Sequence, residues 1–345
     1  MIDGLDKALG DTELPGLHEL RGLLQDLLGG PTVEGRFLGH SDLKPKSTKI
    51  FRLRFSVNGD VRTWVVKRIR PAIARRSELV ARRWLPAVGL TDLGPALAGS
   101  VADPRTTCVW QVYHDLGPHE LDPSHPSKEA IRAAVELIAQ VHTRFAGHAL
   151  LGEVRLHGGD LGLQFLESNV RDAIYALEAL RADAQRKPLI DRLLQRLYML
   201  RHELPERGRL LEKWGGPETV LHGDLWAINV FIIKTDDGVH ARLIDWDHVA
   251  VGQFSYDLST FLLRFAPKER QSILDLYGKE VARSNWNLPG RRELNALFET
   301  AEYARFANRI IWPGIALVMD KAEWGFKALE DIEQWFEKFE PVLPG

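Results

Sequence analysis

Leu221-His222-Gly223-Asp224-Leu225-Trp226-Ala227-Ile228-Asn229-Val230 is followed, after a short interval, by Ala241-Arg242-Leu243-Ile244-Asp245-Trp246-Asp247. In both stretches acidic and amide side chains stand at the edge of an apolar, strand-like run. A strand that ends in a turn presents such groups from a rigid frame. Asp224, Asn229 five residues later, and Asp245 after Ile244 form an ordered set. A lone His-Gly-Asp is more often a simple turn. His157-Gly158-Gly159-Asp160 lacks downstream Asn and Asp partners and reads as one.

These residue types restrict the chemistry. Phosphoryl transfer needs a carboxylate to orient or deprotonate the attacking hydroxyl, oxygen ligands for Mg²⁺, and cations on the phosphates. Asp224 suits the first need. Asn229 and Asp245 suit the second, because Mg²⁺ takes hard oxygen donors and needs no Cys or His cluster.

Outward from this stretch the chain changes character twice. Leu14 to Leu28 carries Leu17, Leu20, Leu24, Leu27 and Leu28 at helical spacing and stops at Gly29-Gly30. Three strand-like runs follow, Val33–Leu38, Ile50–Val57 and Val61–Ile69, with Asn58-Gly59 as a hairpin turn between the last two. Arg75 to Val88 reads as a helix, and Pro95 to Tyr113 as two strands around Asp103-Pro104. A polar, proline-rich connector occupies Gly117 to Pro126. Helical periodicity then dominates Lys128–His148, Val170–Glu203 and Pro267–Phe339, interrupted by strand candidates Val230–Lys234 and Val239–Ile244. The expected fold class is α+β: a β-rich first lobe over residues 1–115 and a mostly helical second lobe over 116–345.

The ordered set resembles the aminoglycoside phosphotransferase and choline kinase-like family, a branch of the protein-kinase-like fold. His222-Gly223-Asp224 with Asn229 matches its loop, Ile244-Asp245 its metal aspartate, and Tyr256-Asp257-Leu258 the Asp that opens a following helix. A weaker local likeness to fructosamine kinases rests on Trp226 after His-Gly-Asp-Leu. The resemblance implies a bilobal kinase-like architecture, Asp224 as catalytic base, Asn229 and Asp245 as Mg²⁺ ligands, and His222 and Asp257 as supports of the loop. It also implies a strand lysine paired with a helix glutamate. Trp64-Val65-Val66-Lys67 fits that strand, with Val65 and Lys67 on one face. Between Val61 and Thr91, Glu78 is the only acid among eight Lys/Arg, so a helix partner for Lys67 would be Glu78. A surface pair of Glu78 with Arg82 at i,i+4 is the competing reading.

The segment Gly39 to Thr48 sits where a phosphate-covering loop belongs but lacks Gly-x-Gly-x-x-Gly. Ser41, Ser47 and Thr48 are the candidates there, and Lys44 and Lys46 either add charge or are simply solvated. Tyr113-His114-Asp115-Leu116 is read as the hinge that meets the adenine edge. ATP or GTP and Mg²⁺ are the expected cofactors.

Composition bounds the alternatives. The single cysteine, Cys108, permits no intrachain disulfide, which points to a reducing compartment. The acidic start Met1–Asp6 lacks the pattern of a signal peptide, and no apolar run approaches the roughly 20 residues of a membrane span. A cytoplasmic protein without membrane contact is expected. Lys44 to Arg83 holds thirteen Lys/Arg against two acids. That suits a nucleotide triphosphate, and also a solvated surface or a nucleic-acid-binding regulator, although no zinc-finger, helix-turn-helix or RNP-like pattern favours nucleic acid.

The twelve residues from Asp245 to Asp257 are too few for a peptide-holding activation segment. The acceptor is therefore expected to be the hydroxyl of a small molecule, such as an amino sugar, an aminoglycoside-like antibiotic or a small alcohol. Ten acids against five Lys/Arg between Glu293 and Glu340 suit a cationic acceptor or merely solvated helix faces. Trp226 and Trp246 either stack on an acceptor or belong to the core. The alternative function is a nucleotide-binding pseudokinase acting as a regulatory module. The sequence leaves the oligomeric state open.

Overall fold

The structure, a computed structural model, describes residues 2–4, 14–30, 34–43, 50–181 and 186–345. Two compact units form: Met1–Glu120 with Asn229–Asp247, and Leu121–Ile228 with His248–Gly345.

The first unit is built on a sheet of β1 (Ile2–Asp3), β2 (Gly35–Asp42), β3 (Ile50–Val57), β4 (Asp60–Ile69), β5 (Leu97–Ala102) and β6 (Val109–His114), in the order β1-β2-β3-β4-β6-β5. Five strands are antiparallel, and two-residue β1 adds a parallel edge. The β3–β4 turn closes at Val57 opposite Asp60, with Asn58 and Gly59 at φ 52° and 88°, the left-handed pair that a two-residue hairpin of this hand requires. At the β5–β6 turn, Asp103 accepts hydrogen bonds from Cys108 N–H (2.8 Å) and Thr107 Oγ1 (3.1 Å).

Alternation then gives the sheet two chemistries. Leu53, Phe55, Trp64, Val66, Trp110 and Val112 face a helix, α1 (Leu17–Leu27), and form a core with its Leu20 and Leu24. Val65, Lys67, Gln111 and Tyr113 point to the opposite face. That face meets α2 (Pro71–Leu79), which starts with Pro71 in its first turn, as the fixed φ of proline favours. A π turn, Val80–Trp84, continues it. The buried Gln111 donates from Nε2 to the Ala74 carbonyl at 3.0 Å, anchoring α2 to β6.

The second unit contains α3 (Lys128–Phe145), α4 (Leu151–His157), α5 (Leu163–Glu178), α6 (Lys187–Trp214) and the short strand β7 (Thr219–Leu221). The chain then forms the hairpin β8 (Val230–Thr235) and β9 (Gly238–Leu243), which belongs to the first unit. It is tied there by Ile232 N–H donating to the His119 carbonyl at 2.8 Å and by a bridge between Glu120 and Phe231. Back in the second unit, β10 (Ala250–Gly252) pairs antiparallel with β7. After it come α7 (Ser255–Leu262), α8 (Pro267–Ala282), α9 (Arg291–Asp320) and α10 (Trp324–Lys338). Leucine and isoleucine faces of α5 and α6 close on α9 and α10 to make the main helical core. Among the described residues no helix is long and apolar enough to cross a membrane.

Leu24 is fully buried against the sheet. Leu24→Ala is expected to cost about 2–4 kcal/mol, as cavity-forming truncations do. Urea unfolding followed by tryptophan fluorescence reads this, and a loss below about 1 kcal/mol would mean that α1 contributes little to the sheet's core.

Candidate active site

In the first unit, the Lys67 ammonium is the centre of a charge cluster. It forms ion pairs with Asp245 and with Asp247 Oδ2, the latter at 2.8 Å. Burial acts against the lysine's charge, but the two carboxylates outweigh it and hold the pKa above the ordinary lysine value. Two acids separated by one residue can reach one ammonium because Asp245 adopts φ 63°, a left-handed conformation uncommon outside glycine. The turn is completed by Trp246, whose indole N–H donates to the Leu243 carbonyl at 3.1 Å. Trp246 is buried, so it belongs to the core and is no stacking platform.

Asn229 and Asp245 emerge from adjoining ends of the β8–β9 hairpin. The register pairs Val230 with Leu243, and Ile244 N–H donates to the Asn229 carbonyl at 3.0 Å. The spacing that separates the two residues in sequence is therefore the length of one hairpin.

The helix partner of Lys67 differs from expectation. Among the described residues, the ion pairs of Lys67 are with Asp245 and Asp247, and Glu78 is not among them. α2 instead sends Arg76, whose guanidinium donates to the Asp247 carbonyl at 2.9 Å. Residues i and i+2 of a helix point in different directions, so Arg76 and Glu78 do not serve the same partner. Glu78 is half-buried, and its charge is felt at Tyr113.

Tyr113 lies on the Lys67 face, pairs with Val65, and donates from its hydroxyl to Gln111 Oε1 at 2.6 Å. Burial first, then the nearby Asp247, push its pKa well up. His114 ends β6, exposed. Its N–H donates to the Ala96 carbonyl (2.9 Å) and that of Asp115 to Thr63 (3.3 Å), so both are committed to the sheet. Asp115 also clamps Arg52, with Nε to Oδ2 at 2.8 Å and Nη2 to Oδ1 at 3.0 Å. Ser41 is exposed on β2, opposite Arg52 of β3. Ser47, Thr48, Lys44 and Lys46 lie outside the described residues.

In the second unit, the His-Gly-Asp turn is set by one buried carboxylate. Asp257 accepts from the backbone N–H of His222 (2.7 Å) and of Gly223 (2.9 Å). His142 Nε2 lies 3.4 Å away, and His142 Nδ1 is 2.9 Å from the Tyr277 hydroxyl. Burial raises the Asp257 pKa, but His142, His222 and the Gly223 N–H together reverse this and leave it below the usual carboxylate value. Gly223 has φ 79°, and a Cβ there would lie 2.0 Å from the His248 carbonyl oxygen. No other residue type fits. His222 is buried, and its Nδ1 faces the Asp224 N–H at 3.4 Å.

The second glycine motif is a turn as well. Asp160 is held by Arg155 Nε at 2.7 Å and caps Gly162 N–H at 2.8 Å, and the Gly159 carbonyl accepts from Val251 N–H at 3.0 Å.

Around Asp224 the second unit is basic. Asp224 lies within electrostatic reach of Arg264, Arg305 and Arg309. Arg264 stacks on Trp226 with its guanidinium carbon 4.1 Å from the ring centroid. None of these arginines stood out in sequence. Their nearest signal, the i, i+3, i+7 stripe Glu302–Arg305–Arg309 on α9, looks like any solvated helix face.

Comparison with known proteins identifies the family and the fold. A family model described as the phosphotransferase enzyme family matches residues 47–297. The chain belongs to that family. Membership makes it an enzyme of the small-molecule kinase kind. No curated protein sequence matches at a significant level. Among solved structures, the GDP and kanamycin complex of APH(2")-IIia is 15% identical with a TM-score of 0.59, covering 94% of this chain and 100% of that one. Spectinomycin phosphotransferase in complex with ADP and spectinomycin is 14% identical with a TM-score of 0.52, covering 90% of each chain. The macrolide 2'-phosphotransferase of Brachybacterium faecium is also 14% identical, with a TM-score of 0.52, covering 90% of this chain and 96% of that one. These likenesses of the phosphotransferase show its fold, a β-rich lobe and a mostly helical lobe of the protein-kinase-like kind.

Asp257→Asn is expected to cost about 2–4 kcal/mol, because an amide cannot accept both N–H groups and balance the buried histidine. The wild-type pKa lies below the unfolded one. Asp257 therefore contributes stability above the ordinary carboxylate range, and this is lost as pH falls through the native value. Acid unfolding of the two proteins should converge at low pH, and parallel curves would contradict the assignment.

Proposed function

We propose that this phosphotransferase moves the γ-phosphate of ATP or GTP to a hydroxyl of a small molecule. The observation that carries the reading is the convergence of Lys67 with Asp245, residues far apart in sequence, at the end of a hairpin that also carries Asn229. Phosphoryl transfer requires such a junction of a phosphate-binding cation and oxygen ligands.

The residues present fit Mg²⁺. Among the described residues no cluster of three or more His, Cys, Asp or Glu could hold a metal. Mg²⁺ needs none, since it is commonly bound by one or two protein oxygens together with phosphates and water. The Asp245 carboxylate and the Asn229 amide oxygen would hold it, and the Lys67 ammonium already bridges the two acids of the turn. When bound, the ion neutralises charge on the transferring phosphates. Lys67 binds the α- and β-phosphates and stays protonated between Asp245 and Asp247. Asp224 orients the acceptor hydroxyl and takes its proton. Asp257 and His222 keep the Asp224 turn in shape.

At the hinge, the N–H groups of His114 and Asp115 serve the sheet and that of Gly117 serves Asp115 (3.1 Å). Leu116 is left as the N–H donor for the purine edge. The solved relatives bind GDP in one case and ADP in another, and both nucleotides remain in the proposal.

Asp224→Asn is expected to lower turnover about 10²–10⁴-fold, the range for a lost general base, with nucleotide affinity retained. Turnover at the wild-type rate would remove Asp224 from the role. Lys67→Ala is expected to raise the nucleotide KM, and steady-state kinetics unchanged by it would exclude Lys67 from the nucleotide site.

A further inference from the structure

The acid excess of residues 293–340 suits a cationic acceptor or solvated helix faces, and the structure commits several of those acids to ion pairs. Glu299 pairs with Arg207 at 2.7 Å, Glu333 with Arg192 at 2.6 Å, and Asp331 with Lys327 at 2.8 Å. Glu302 pairs with Arg305 and accepts from Ser259 Oγ at 2.7 Å. What remains around Asp224 is positive.

Arg305 is satisfied: Glu302 takes one side of its guanidinium, and the Tyr256 carbonyl accepts at 2.9 Å from the other. Arg264 and Arg309 differ. Among the described residues neither has a carboxylate partner in an ion pair, and each lies on an aromatic ring instead, Arg264 on Trp226 at 4.1 Å and Arg309 on Phe306 at 4.8 Å. Arg264 Nε is buried and has no acceptor, and neither has the buried Nε1 of Trp226 stacked against it. Buried donors without acceptors are uncommon and costly, and two in one stacked pair mark a place where an acceptor belongs. Electrostatics agrees. Burial first, and the neighbouring arginines against an opposing Glu302, hold the pKa of both Arg264 and Arg309 below the ordinary value, so a bound anion would stabilise their charge.

Resting on the kinase reading above, we infer that the acceptor carries an oxyanion, a carboxylate or phosphate ester, beside its reactive hydroxyl, and that Arg264 and Arg309 bind it. The two oxygens of such a group match the guanidinium fork. Trp226 would serve as the platform that fixes the Arg264 plane. Asp224 lies within electrostatic reach of both arginines, on the same unit. A polycationic acceptor would instead meet two guanidinium groups that have no ion-pair partner among the described residues.

Four sugars with the same pyranose ring separate the charge classes: glucuronate, glucose 6-phosphate, glucose and glucosamine. Their binding to the full chain is measured by calorimetry with Mg²⁺ and ADP present. At least one anionic sugar should bind about tenfold or more tightly than glucose, the scale of one charge-assisted hydrogen bond, and glucosamine no more tightly than glucose. The tighter of the two anions identifies the oxyanion. Arg264→Gln and Arg309→Gln should each shrink the gap, and Arg264→Lys should restore part of it, which a purely structural arginine would not do. Equal binding of all four sugars, a preference for glucosamine, or an undiminished gap in both glutamine variants would overturn the inference. ADP titrated alone reads the kinase assignment separately. Its failure to bind would sink that assignment, whereas intact ADP binding without anion preference would sink only the anionic acceptor.

Discussion

The first unit depends on one ammonium placed between two carboxylates. Asp245 and Asp247 are separated by a single residue and would repel each other strongly if both were ionised in a half-buried turn. Lys67 removes that conflict. The left-handed backbone at Asp245 brings the two acids to the same point. Arg76 fixes the carbonyl of Asp247, and Gln111 fixes the helix that carries Arg76. Strand, helix and hairpin thus share one electrostatic centre. Deleting a single partner would leave buried charge uncompensated, which costs far more than the intact cluster contributes.

The second unit solves a different problem with a neighbouring sign. Asp257 is an anion deep in a helical body, where burial alone would neutralise it. It persists because two backbone N–H groups and two histidines surround it. Those N–H groups belong to the turn before Asp224, so the carboxylate acts as a template for that turn. Gly223 is the steric complement, since the His248 carbonyl occupies the space a side chain would need. The motif His-Gly-Asp is therefore the visible part of a contact set spread from His142 to Tyr277.

Much of this was legible in the sequence because it depends on local rules. The Asn58-Gly59 hairpin, the alternating faces of β4 and the apolar stripe of α1 each follow from periodicity over a few residues. Asn229 and Asp245 were legible because the hairpin between them has a fixed length. Asp247 carries no distinguishing signal in the sequence, since its role depends on a backbone dihedral that composition does not reveal. The three-residue strands β7 and β10 were missed because they are too short for any period to show. For Lys67, elimination among acids points to Glu78, whereas the ion pairs in the structure are with Asp245 and Asp247. Counting finds which acid is available on α2, but it does not reveal that the turn after β9 brings two acids to the lysine.

Charge counts alone leave residues 293–340 open between a cationic acceptor and solvated helix faces, and the ion pairs bear on that choice. A stretch with twice as many acids as bases looks attractive to cations, yet Glu302, Glu333 and Glu299 are consumed by arginines, two of them from a different helix. The sign a ligand meets is set by the charges left without partners. Near Asp224 those are Arg264 and Arg309, on two different segments of the chain and each covered on one side by an aromatic ring. A ring satisfies the face of a guanidinium but none of its in-plane N–H donors. At Arg264 the unmet need is therefore directional, for an oxygen atom in the guanidinium plane, and an anionic acceptor answers it where an amine does not.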